Sequence, residues 1–259
     1  MSETNPRDVL VVGGGVAGLT AATFLARAGL DTLVVNAGES IVRRNAHLEN
    51  VPGFPAGVNS RLFTDLLTEQ ADRSGADFLT GLVVDLDVLG TEADPFFEAT
   101  VETEDGEETI AATRVIAASW ADASYLEDTG VELRSAGSKT YVDVDDLGRT
   151  AVSGLYAAGR ITEIYHQTVV AAGDAAETAI TLVHDSGTAF YNDWVTPEGY
   201  FTGRGREVPP ACEEIDAEER DRRERESREV MQEFFADDHP EPQRTHPSLV
   251  EDELGRLDE

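Results

Sequence analysis

The run Val11-Val12-Gly13-Gly14-Gly15-Val16-Ala17-Gly18 narrows what this chain can fold into more than any other stretch of it. Residues 9–12 are apolar and read as a strand, while Leu19-Thr20-Ala21-Ala22-Thr23-Phe24-Leu25-Ala26 reads as a helix of small residues. Between them Gly13 makes the tight turn, Gly15 lets the backbone approach a pyrophosphate, and Gly18 lets the helix lie close to the sheet. Unpaired N–H groups and the helix dipole favour an anion at the helix start near Val16. A second strand at residues 32–35 follows Gly29 and completes a βαβ unit. The expectation is a dinucleotide held on this turn. Glycines that serve only close helix–sheet packing are the alternative.

Asn36 ends the second strand, where an acidic residue commonly bonds a ribose hydroxyl. Its carbonyl still accepts a hydrogen bond, but it carries no charge. With Arg43 and Arg44 shortly after it, this end would also suit the 2′-phosphate of NADP, which keeps a nicotinamide reading open. For the two arginines the plainer alternative is surface ion pairing.

Charge sets the solvent. The chain has 259 residues and a net charge of −31, and Lys139 is its only lysine. Such a surface repels itself at low ionic strength, and salt relieves the repulsion. This is the composition expected of a halophilic, cytoplasmic protein. It argues against nucleic acid and anionic membranes, since no basic patch faces phosphate. No segment reads as a leader or as a membrane span. One cysteine, Cys212, excludes an internal disulfide and Cys-x-x-Cys chemistry, and its acidic neighbours blunt its reactivity. The five histidines show no metal spacing, so no metal is expected.

Along the chain, residues 37–60 form a loop around Asn50-Val51-Pro52-Gly53-Phe54-Pro55, and residues 61–74 an amphipathic helix. Residues 78–88, 96–101 and 109–117 read as strands of a meander returning to the parent sheet. Residues 141–144 and 155–158 are short strands, and residues 168–183 an alanine-rich helix. The expected class is α/β: a Rossmann-like domain with a central parallel sheet and an inserted β-meander over residues 1–186. Residues 187–238 form an irregular arm with a charged helix, and residues 239–259 a disordered tail.

Four signals in order resemble the FAD domain of the thioredoxin reductase family: the glycine turn; Leu48-Glu49-Asn50-Val51-Pro52-Gly53-Phe54; the returning strand Val115-Ile116-Ala117-Ala118-Ser119; and Tyr156-Ala157-Ala158-Gly159-Arg160 followed by the Gln167 helix. The resemblance covers residues 8–184. In that family an NADPH domain with a redox dithiol lies between the third and fourth signals, and here the space is too short to hold one. What it implies is an FAD-dependent oxidoreductase reduced to its flavin half, a homodimer, whose electron donor is a nicotinamide nucleotide or a redox protein.

Carried over, Gly13, Gly14, Gly15, Val16, Ala17 and Gly18 hold the pyrophosphate, Asn36 faces the adenosine ribose, and Arg44 follows in the loop beyond it. Asn50 lies near the isoalloxazine. Ala118 and Ser119 end the returning strand, and Gly159 and Arg160 form the turn beside the ribityl chain. His166, Gln167 and Thr168 start a helix aimed at the flavin pyrimidine edge. His166 and Tyr165 are the proton-transfer candidates. The chain departs from the family where Arg160 replaces Asp, where Ala118-Ser119 replaces Thr-Gly, and where residues 37–45 lack a Gly-Gly-Gln run. These departures leave room for a non-catalytic nucleotide-binding protein with a degenerate flavin site.

Overall fold

A computed structural model describes residues 5–120, 123–137 and 139–243. The first unit is β1 (Arg7–Val12), α1 (Val16–Arg27) and β2 (Thr32–Asn36), with β1 and β2 parallel. Helix α2 (Ser60–Arg73) follows the loop and leads into β3 (Asp77–Thr80), which adds to β2 in parallel. Then comes the meander β4 (Leu82–Val88), β5 (Phe97–Thr103) and β6 (Gly106–Ala117), all antiparallel.

Strand β6 joins the two systems. Its first half pairs with β5, and its second half, from Ala112 to Ala117, runs parallel to β1. A hairpin of β7 (Leu133–Ala136) and β8 (Lys139–Val142) precedes β9 (Leu155–Ala157), which pairs with the end of β6 in parallel. The sheet order is therefore β3-β2-β1-β6-β5-β4, with β9 beside β6. Helix α3 (Thr168–Asp185) packs with α1 on one face of the sheet, over Val9, Val11, Val34 and Ile116. Small residues make this layer thin: Ala21 and Ala22 of α1 and Ala175 and Ala179 of α3 are fully buried. The other face, with Leu10, Val12, Leu33 and Val35, is covered by Phe97, Ala99 and Val101 of the meander and by Tyr125 and Leu126.

Residues 78–88 read as one strand but form two. Gly81 is the break, because there the chain leaves the parallel partner β2 and crosses to the antiparallel partner β5. A Cβ at Gly81 would lie 2.6 Å from Val101 Cγ1. The hairpin β7–β8 and a parallel pair in the arm, β10 (Trp194–Pro197) with β11 (Cys212–Ile215), carry no alternation strong enough to read. Helix α4 (Ala217–Phe234) buries no residue, as its charge pattern implies. The arm is fastened to the body by Arg27 on Asp193, by Arg73 on Glu226 at 2.8 Å, and by Phe235 stacked on Phe54 at 6.4 Å. The chain from His239 to Gln243, expected to be disordered, lies against α2: His239 meets Asp65 at 2.9 Å and Glu241 meets Arg43 at 2.7 Å. Residues 244–259 fall outside the described residues.

Candidate functional site

The C-terminal ends of β1, β2 and β6 converge on the glycine turn, where a doubly wound sheet places its ligands. Gly13 has φ +115° and donates its N–H to Val35 O at 2.8 Å. A Cβ there would lie 2.6 Å from Ala118 O, so the turn closes against β6 only with glycine. Gly14 donates its N–H to Asn36 Oδ1 at 3.0 Å, so Asn36 fixes the turn from the end of β2. Gly18 lets α1 pack against the turn, since a Cβ on it would sit 1.8 Å from Gly13 O. Gly15 is different: a Cβ there meets only Ser40 Oγ, at 3.6 Å. Gly15 is also the N-cap of α1, with no side chain on the first N–H groups and no acid in the first turn. Those donors are open to an anion.

The far end is built by α3. Its N-cap Gln167 makes no side-chain cap bond, and its first turn also lacks acids. Asn50, from the loop after β2, donates Nδ2–H to Gln167 Oε1 at 2.8 Å, so two expected site residues are joined directly. His166 lies against Trp120, with ring centroids 4.8 Å apart. Burial, then the charges of Arg160 and Lys139, hold its imidazole below the usual histidine range. Ser119 shares a hydrogen bond of 2.9 Å with Tyr125. Gly159 has φ +81° and donates its N–H to Asp174 Oδ2 of α3 at 2.6 Å. Burial pushes the Asp174 carboxyl up from its ordinary value. Arg160 Nη1 donates to Ile164 O, while its Nε is buried with no acceptor.

A single cavity of about 820 Å³ joins the two ends, at the large end of the usual ligand range of roughly 300–1,000 Å³. Gly13, Gly15, Val16, Ala17, Asn36, Arg44 and Asn50 line it, with Ala118, Ser119, Arg160, His166, Gln167 and Thr168. Gly14, Gly18 and Gly159 shape its walls from behind. Tyr165, 83% exposed, lies outside it, which leaves His166 as the proton-transfer candidate the fold brings in. One wall is the segment after β2, held by the Leu48–Val58 bridge and by the packing of Val16 with Val42, Leu48 and Phe63. Arg43 turns away into ion pairs with Asp65 and Glu241 that are partly buried and not on a solvated surface, whereas Arg44 faces the cavity.

The residues fit FAD. A long cavity runs between two uncapped helix N-termini, one at a glycine turn open at Gly15, and no described carboxylate stands in either first turn. Sequence reasoning missed Trp120, Asp174 and Tyr125. The signal for Trp120 was its place directly after Ser119; for Asp174, its place nearly two turns into α3 with Gly159 still lacking an acceptor. Cys212 sits in the arm, its Sγ donating to Asn192 O at 3.0 Å, and takes no part in the cavity. Among the described residues no group of His, Cys, Asp or Glu could hold a metal, and no helix is long and apolar enough to cross a membrane.

Residues 8–48 match an FAD binding domain family, and residues 58–176 the pyridine nucleotide-disulphide oxidoreductase family. The chain is similar to thioredoxin reductase of Streptomyces clavuligerus, 39% identical over 88 residues, covering 32% of this chain and 27% of the relative. It is similar to that of Aquifex aeolicus at 36% over 112 residues, covering 42% and 33%. The chain thus spans a third or less of these two curated relatives. A thioredoxin reductase structure from Gloeobacter violaceus shares the fold, with a TM-score of 0.63 at 17% identity over 74% of this chain and 100% of that one.

Proposed function

We propose that this chain, a thioredoxin reductase-like oxidoreductase with FAD as its cofactor, works through one flavin cavity, with its electron donor arriving as a separate molecule. The single observation that supports this most is the cavity itself, running unbroken from the Gly13–Gly15 turn to the α3 N-terminus. When bound, FAD supplies the redox centre that the polypeptide lacks. The N–H groups of α1 would hold its pyrophosphate, and Asn36, with Arg44 beyond it, would face the adenosine end. Asn50 orients Gln167. The uncapped start of α3 favours negative charge at the flavin end, which raises the potential of a cofactor whose reduced form is the more anionic. His166, neutral near pH 7, can hold or deliver a proton at Nδ1 or Nε2.

These 259 residues carry one cysteine, and in this reading electrons pass without a dithiol among them. In this reading the donor is a free nicotinamide nucleotide or a redox protein, and the chain acts as a homodimer in a salt-rich cytoplasm. One observation favours a second reading, an NADP-dependent reductase: Arg44 faces the cavity on the same side as the uncharged Asn36. Anaerobic mixing of the FAD-loaded protein with NADPH, NADH or a reduced ferredoxin tests the proposal. Bleaching of the flavin band by one of them supports it. A band that dithionite bleaches but none of these donors changes would sink it.

A further inference from the structure

In this acidic chain many arginines are held against carboxylates, though not all. Arg7, Arg27, Arg43, Arg73 and Arg149 each hold at least one. Arg160 and Lys139, among the described residues, hold none, and Glu163, three residues from Arg160, is taken by Arg134. Instead both cations gather on one indole: Lys139 Nζ lies 5.1 Å and the Arg160 guanidinium 5.6 Å from the Trp120 ring centroid. His166 lies against the same ring. Arg160 is also over Tyr141 at 5.9 Å, and its Nη1 is tied to Ile164 O. That tether leaves Nη2 as the end of the guanidinium with no described acceptor, while Nε, like Nε of Arg43, is buried with no acceptor. An orphaned donor and two like charges sharing one ring are each unfavourable until an anion arrives.

We propose that Arg160, Lys139 and His166, arranged around Trp120, form an oxyanion subsite beside the flavin that takes the acidic group of a small organic carboxylate or phosphate substrate. The inference rests on the proposed flavin reading for its place beside the cofactor, because His166 directly precedes the α3 start; the anion site itself needs no flavin. The pyrophosphate has its own donors at α1. Arg160 therefore changes role, from a residue expected to face the cofactor chain to one that selects the substrate by charge.

Calorimetric titration of the FAD-loaded protein with benzoate, its neutral isostere benzyl alcohol, and inorganic phosphate tests this. FAD content is measured from the visible spectrum of the same samples, so failure of the flavin reading shows separately. Benzoate or phosphate should bind and benzyl alcohol should not, and whichever anion is tighter names the source. Arg160→Gln should weaken the anion about 10- to 100-fold, compared per mole of FAD-loaded protein. Lys139→Gln, at the half-buried start of β8, should weaken it less and provides a second variant should the first fail to fold. No anion binding, equal binding of the alcohol, or loss of FAD from Arg160→Gln in place of loss of the anion would each overturn the proposal.

Discussion

Gly15 and Gly18 stand three residues apart in one motif and serve different purposes. A Cβ on Gly18 collides with Gly13 O at 1.8 Å, whereas one on Gly15 finds only Ser40 Oγ at 3.6 Å. Gly18→Ala should therefore destabilise the fold by at least the ~1–3 kcal/mol typical of overpacking, read as a lowered Tm. Gly15→Ala should melt with the parent and lose most of its FAD; retained flavin would contradict the account. His166 gives a second prediction. Its folded pKa is depressed, so below the ordinary imidazole value of about 6.5 the unfolded chain binds the proton first. Stability contributed here is complete above that value and is lost as pH falls through the folded pKa. Removing a cation with Arg160→Gln should move the His166 midpoint up in an NMR titration, and no movement would mean that burial and Lys139 set it. Much of this site was legible in the residues, because glycines at a turn and a βαβ pattern have few uses. Trp120 was not: an aromatic residue after a strand has no pattern of its own, and only the fold shows what gathers on it.

Among the elements, those with strong periodicity could be read and those defined by partners could not. Helices α1, α2 and α3 fall within two residues of their expected bounds because their apolar stripes are long. The split at Gly81 and the pair β10–β11 depend on which strand lies alongside, and the sequence alone does not carry that. The Gly159 turn is tied to α3 at this scale, since Asp174 accepts the Gly159 N–H at 2.6 Å. Asp174→Ala should leave that donor without a partner and cost about 1–3 kcal/mol in chemical denaturation. Asp174→Asn keeps an acceptor and removes a half-buried charge, so it should cost less; equal losses would show that the carboxylate charge, and not the hydrogen bond, matters.

For the whole molecule, composition bears on the solvent more than on the shape. The charge of −31 is spread over an exposed α4 and the strand turns, with Arg220, Arg222 and Arg223 of α4 ion-paired. Raising KCl from about 0.1 M to about 1 M shortens the Debye length from about 10 to about 3 Å. Self-repulsion should fall and Tm should rise, and a Tm that drops with salt would remove the halophilic reading. Arg160 and Lys139, gathered on Trp120 at the cavity wall, are among the cations that hold no carboxylate among the described residues. Every part of the account turns on what the cavity holds. The decisive measurement is the visible spectrum of the protein purified at high salt, with the cofactor released by heat and identified by mass. The account predicts flavin bands and FAD. A colourless protein that also fails to take up added FAD would contradict it.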